Sequence, residues 1–426
     1  MKNSVSENTK AVLLLTSPLI VGKGKNYADL LSISEYNRLA RFLHEDKKQP
    51  LDLLKPDADD LLKSCAKVCD VDKLRRLLSR GFLLSQVLTD WQNRSIWVVS
   101  RADDSYPKKI KKKLKEDAPP ILYGCGNISL VESEGLGVVG SRDVDDSLVD
   151  YTKAVAKLAV KAGKVIYSGG ARGIDQAAMV GAIENLGAAV GIVADSLEKS
   201  ATSRLYREAL MNDRMLLLSP YDPKAGFNVG NAMNRNKLIY ALSSATLVVN
   251  SDFNKGGTWN GAVEQLTKLH YSKVYVRSTG QPSKGLEALT RKGAFVWPNP
   301  ADIESFASAI KGDYSQLSEK PLEKLFVKEV EISSKVDDVT STPPPSNILP
   351  KNNLNPGEEL FLKVKELIFT QLSAPKSIEE VAKILCVSNP QAKAWIDRLI
   401  KEQTVLKQPK TKRYMLKTQL ALSSTL

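Results

Sequence analysis

Two glycine-rich stretches hold most of the chemistry this sequence can offer. Gly140-Ser141-Arg142 and Ser168-Gly169-Gly170-Ala171-Arg172-Gly173 each follow a short apolar run and lead into a helical pattern. Backbone N–H groups left free where such a turn enters a helix form an anion site, and an arginine adds charge and a bidentate fork. The chemistry implied is the binding of phosphate. Asp175, just beyond the second turn, reads as a cap for its helix rather than as an anion contact. Acid–base chemistry has little material: the histidines are His44 and His270, and neither lies in a glycine turn. The four cysteines lack the spacing of a zinc site, and no metal is expected. Gly135-Leu136-Gly137-Val138-Val139-Gly140 spells G-x-G-x-x-G, but Gly137–Val139 is the strand itself and not the turn after it. No phosphate-loop motif with its lysine occurs. The expectation is therefore a phosphate site with no cofactor.

The elements that position these turns form a repeating series. Apolar runs at Leu136–Val139, Val165–Tyr167, Ala188–Val193, Met215–Ser219, Thr246–Asn250, Lys273–Arg277 and Ala294–Trp297 alternate with helical patterns near 147–162, 175–186, 231–243, 257–269 and 283–292. Such alternation specifies an α/β fold, a Rossmann-like parallel sheet with helices on both faces. Ligands of these sheets sit at the C-terminal strand ends. The loops meeting that rule are 140–142, 168–175, the segment after Ser219, 250–252, and the turn Gly256-Gly257-Thr258-Trp259-Asn260-Gly261. Trp259 and Tyr240 stand near the strand ends as stacking platforms, with core packing the favoured reading for Trp259.

The flanks read differently. Residues 1–100 form a small helical domain of the SAM or helix-hairpin kind, with Ser34 as a helix cap. Residues 101–310 carry the α/β core, entered through a connector dense in lysine from Lys108 to Lys115. That run is a solvated face or a non-specific contact to a nucleic-acid backbone. Residues 311–356 hold Pro343-Pro344-Pro345 and few apolar residues, the pattern of a flexible linker. Residues 357–420 read as three helices and a β-wing around a basic turn, a winged helix that docks DNA or protein. The chain carries a net charge of +13, which favours a polyanionic partner. No apolar run reaches the ~18 residues of a membrane span, and no signal-peptide pattern opens the chain, so a cytoplasmic protein without a membrane partner is expected.

Taken in order, VVGSR, YSGGARGID, NRNKLIYALS and GGTWNGAVEQL resemble the motif series of the DNA-processing protein A family (DprA, also called Smf). The resemblance is strong over 103–300 and looser outside. It implies a protein that binds single-stranded DNA, acts without ATP as a recombination mediator in DNA uptake, helps load RecA, and works as a homodimer or larger assembly. It further implies that Arg142 contacts a backbone phosphate, with Gly140 and Ser141 shaping the turn. Ser168, Gly169, Ala171, Gly173 and Asp175 build the second turn, where Gly170 and Arg172 are further candidate phosphate contacts. Arg235, Asn236 and Lys237 supply further phosphate contacts. Gly256, Gly257 and Thr258, read from this sequence's own glycine turn, are also candidate phosphate contacts. The last loop departs from the family's small-residue turn toward the pattern of LOG-type phosphoribohydrolases. That alternative is a nucleotide sensor or hydrolase in which Glu264 meets a ribose. A third reading keeps the fold and makes the chain part of an anti-phage or toxin–antitoxin module, with a cognate toxin or defence protein as partner.

Overall fold

The computed structural model describes residues 5–22, 29–281, 283–311 and 356–416, the last without 373, 386, 388, 403 and 409–412. Within Met1–Ser334, which forms one compact unit, nine strands make a single sheet. They are β1 Ile96–Ser100, β2 Ile121–Gly126, β3 Gly135–Val139, β4 Val165–Ser168, β5 Ala189–Ile192, β6 Met215–Ser219, β7 Ala245–Val248, β8 Lys273–Val276 and β9 Phe295–Val296. Their order is β1-β2-β6-β5-β4-β3-β7-β8-β9. From β6 to β9 every neighbouring pair is parallel. β2 runs antiparallel to β6, and β1 antiparallel to β2, so the sheet is mixed rather than wholly parallel.

The central strands are continuous apolar runs because both sheet faces are covered. Every residue of β3, β4, β5, β6 and β7 is buried. Alternate side chains serve opposite cores. Leu136, Val138, Ile166 and Leu217 pack on one side, and Val139, Tyr167, Val190 and Leu218 on the other.

The N-terminal helices, expected as a domain of their own over 1–100, share the first of these cores. Leu13, Leu39, Leu74 and Trp91 pack in one cluster with Ile121, Tyr123 and Leu136. Ser17 Oγ and Tyr123 Oη are hydrogen-bonded at 2.7 Å, and Ile96–Ser100 is itself a strand of the sheet. The helix Ile33–Glu45 starts from Ser32, not Ser34. Ser32 accepts the backbone N–H of Glu35 while Glu35 accepts its own, a capping box that needs the acid three residues on.

The chain runs outward from β3 through β4 and β5 to β6, then returns to β7 on the other side of β3. Diverging connections open a crevice at the C-terminal ends of β3 and β7, where open α/β sheets hold ligands. The second unit, Lys335–Leu426, has the helices Pro356–Gln371, Ile378–Ile384 and Asn389–Lys401. They pack Ile368, Val381, Ile396 and Leu399 against a small sheet of Lys376–Ser377, Arg413–Leu416 and Val405–Lys407. The expected linker 311–356 lies, apart from its two end residues, outside the described residues, as do the basic turn at 409–412 and the end of the unit beyond 416.

Candidate functional site

A cavity of about 610 Å³ occupies the crevice between β3 and β7. Its walls come from the turn after β3 (Gly140, Ser141, Arg142), from Ala171 and Asp175, from Arg235 and Asn236, and from Gly256, Gly257 and Thr258. A second cavity of about 450 Å³ adjoins it, lined by Gly169, Gly170, Arg172 and Asp195. The two share Arg142, Phe227 and Arg235 as a common wall.

The turns are locked together by their backbones. Gly173 has φ +85°, and a Cβ there would stand 2.5 Å from the carbonyl oxygens of Ser141 and Arg142, so only glycine lets the second turn close on the first. Ile174 N donates to the Ser141 carbonyl at 3.3 Å. Thr258 Oγ1 donates to the Gly140 carbonyl at 2.9 Å, and Asn236 Nδ2 to the Gly257 carbonyl at 3.2 Å. Asp175 does not cap its own helix. Its carboxyl faces the N–H groups of Gly140 and Ala171, whose pull opposes part of the effect of burial. The helix Gly256–Glu264 begins at Lys255 with no side-chain cap, which leaves its first N–H groups to a ligand, whereas in Ile174–Glu184 the N–H groups of Ile174 and Gln176 are taken by the Ser141 and Ala171 carbonyls.

Three cations have three different situations. The Arg142 guanidinium is exposed and lies over the Phe227 ring, 5.1 Å from its centre. Arg172 is ion-paired at 2.5 Å to Asp143, with both side chains more than three-quarters exposed, a weak and screened pair. Arg235 is 5% exposed, 3.9 Å from Asp175, and its Nε and Nη1 have no hydrogen-bond partner. Burial pushes the Asp175 carboxyl up to about 6, against the opposing pull of Arg235, and pushes Arg235 down. Desolvation thus outweighs attraction within this pair. A Cβ on Gly169 would run into the guanidinium, so the second turn needs glycine there as well.

Several sequence expectations are corrected here. Ser168 is fully buried and donates its hydroxyl to the Val138 carbonyl at 2.7 Å; it holds β4 to β3 and does not reach the cavity. Lys237 does not join Arg235 and Asn236. Successive helical residues point ~100° apart, and Lys237 lines a separate cleft of about 730 Å³ together with Asn228, Asn231 and Asn234. There it is paired with Glu264 at 3.2 Å, and Glu264 is not part of the cavity wall. Trp259 is buried with its edge against Phe253, as core packing requires. Gly170 and Arg172 belong to the second cavity only.

The residue that sequence reasoning missed is Phe227. It is 55% exposed and lines both cavities and the neighbouring cleft. An exposed aromatic beside a free arginine is a stacking surface. Its one sequence signal is an aromatic between two glycines in the segment Gly226–Gly230.

Residues 97–308 match the family model described as DNA recombination-mediator protein A. The chain is 28% identical over 178 residues to Protein Smf of Synechocystis, covering 40% of this chain and 44% of that protein. It is 30% identical over 157 residues to the DNA processing protein DprA of Streptococcus pneumoniae, covering 36% and 54%. The chain therefore spans about half the length of the curated relatives it matches. The crystal structure of DNA processing protein A from Streptococcus pneumoniae superimposes with a TM-score of 0.53 at 18% identity, over 72% of this chain and 98% of that one, a likeness of fold.

Proposed function

Since the chain belongs, through residues 97–308, to the DNA recombination-mediator protein A family, we propose that it is a DNA-binding protein whose switch-point cavity takes the phosphodiester backbone of single-stranded DNA. The observation that carries this reading is Arg142. It is a cation without an ion-pair partner among the described residues, and it lies over an exposed aromatic at a cavity walled by the uncapped N-terminus of Gly256–Glu264. Phosphate meets Arg142 and the free N–H groups, and an unpaired base stacks on Phe227. Duplex DNA hides its base faces and loses the second contact, which gives the preference for single strands.

The wider role is a proposal of the same kind: ATP-independent mediation of recombination, with RecA as partner and a homodimer as the working unit. Binding rather than catalysis is the reading for this site. Glu264, the carboxylate a hydrolase would need, is engaged with Lys237 outside the cavity.

Fluorescence anisotropy with oligo-dT and with duplex, across a salt series, tests the proposal. The intact chain is expected to hold oligo-dT at about 0.15 M salt, and Arg142→Ala to lower the salt slope by about 0.7, the share of one single-strand phosphate. Equal affinity for duplex and single strand, or an unchanged slope in the variant, refutes it.

A further inference from the structure

The lysine run 108–115, which the switch-point cavity does not use, divides in the structure. Lys109 and Lys113 direct their ammonium groups to the carbonyls of Ser133 and Tyr271. Lys115, and Lys111 whose ammonium group donates to the Arg101 carbonyl at 3.4 Å, line a separate cleft of about 1210 Å³, whose other walls carry Arg41, Lys47, Lys48 and Arg101. Segments some sixty residues apart thus gather six Lys/Arg side chains around one concavity.

The cleft is built rather than incidental. Asn37 Nδ2 and Arg101 Nη1 both donate to the Glu116 carbonyl, at 3.0 and 3.4 Å, and join the walls. Arg101 is fixed over the Tyr36 ring, 5.1 Å from its centre. Lys47 and Lys115 sit at φ +55° and +52°, a region that side-chain-bearing residues seldom adopt.

Local charge balance does not account for the lysines. The helices Ile33–Glu45 and Lys108–Leu114 end beside the cleft, and each helix C-terminus is worth about half a negative charge. Adding Glu45 and Glu116 gives roughly three negative charges against six positive ones. The Arg41–Glu116 pair, at 3.3 Å with both side chains more than half exposed, is of the weak, screened kind.

We propose that this cleft is a second nucleic-acid site, one that grips the phosphodiester backbone without reading bases. Tyr36 is 3% exposed beneath Arg101, the exposed ring on the wall is the polar imidazole of His44, and none of the exposed large apolar side chains of the described residues lies in it. The charged heads stand on a floor of lysine stems, Ala40, Leu43 and Pro50, and the contact they offer a polyanion is to its phosphates. A docked peptide would use an apolar anchor or a free strand edge.

The test uses the full chain with oligo-dT of about thirty nucleotides, long enough for several phosphate contacts. Replacing Lys47, Lys48 and Lys115 together by alanine is expected to lower the salt slope by about two, while the three Lys→Arg changes preserve it. An unchanged slope in the alanine variant overturns the inference. So does a polyglutamate peptide that binds the intact chain but not that variant while oligo-dT binds both alike, since the cleft then serves an acidic peptide. Loss of binding in Arg142→Ala with no effect of the triple change removes the cleft and leaves the switch-point reading intact. The reverse pattern removes that reading and leaves the cleft.

Discussion

Replacing Arg235 by methionine separates the energetics of the site from its chemistry. In the free protein the guanidinium is buried, lacks hydrogen-bond partners at Nε and Nη1, and stands 3.9 Å from Asp175. A carboxyl raised from 3.8 to about 6 costs the ionised native state on the order of 3 kcal/mol at neutral pH. Methionine matches the length of the stem and removes the charge, leaving Asp175 buried alone, a change worth about 3–5 kcal/mol in comparable cases. The sign of the pH dependence follows from the raised carboxyl. The native state takes up this proton at higher pH than the unfolded chain, so the stability linked to it is complete below about pH 4 and is lost as pH rises through 6. Without the arginine that window moves upward. Urea denaturation should show the Arg235→Met deficit in full near pH 7.5 and reduced to about 1 kcal/mol or less near pH 5, where Asp175 is protonated. Arg235→Met with Asp175→Asn should remove most of the pH dependence. Both variants should hold oligonucleotide more weakly than the intact chain, keeping the share that the second cleft supplies. An equal deficit at both pH values refutes the reasoning, because Arg235 would then be held by packing and not by charge.

Three further expectations follow from the same geometry. Phe227→Ala should weaken single-strand binding by about 1–3 kcal/mol, the worth of one stacked base, with no shift in thermal midpoint because the ring is 55% exposed; anisotropy and melting curves read the two effects separately. Ser168→Ala should cost about 1 kcal/mol of stability, through the lost bond to Val138, and leave binding untouched. Glu264→Gln should change stability by less than about 1 kcal/mol and leave oligonucleotide affinity where it was; a loss of affinity would bring Glu264 back into the site.

The α/β alternation was legible because buried parallel strands are unbroken apolar runs, and both glycine turns fell where the strand-end rule places them. What the apolar face of a helix packs against is not written in its periodicity. The N-terminal helices therefore read as a separate domain although Leu39 and Trp91 complete the core beneath Tyr123. Nor does the direction of a strand show in its composition, and β2 reads like any other buried run until its pairing with β6 is seen. Adjacency in sequence misled at Arg235-Asn236-Lys237, since neighbours on a helix face different cavities. Ser168 looked like a turn residue by type, but the sheet pairing takes its hydroxyl. Phe227 belongs to no periodic pattern, and only its exposure marks it.

The antiparallel pair β1–β2 has a consequence for the integrity of the molecule. β6 carries the run Met215-Leu216-Leu217-Leu218, every residue buried, and β2 occupies its outer edge. A fragment beginning after residue 126 would present that ladder naked, an apolar strand edge open to pairing with another chain and so a seed for aggregation. One beginning at residue 101 would keep β2 but expose its own largely buried edge in turn. During synthesis the same edge stays uncovered only if the first hundred residues fail to dock. The N-terminal segment is thus a built-in edge guard, and the α/β core has no clean point at which it can be cut free.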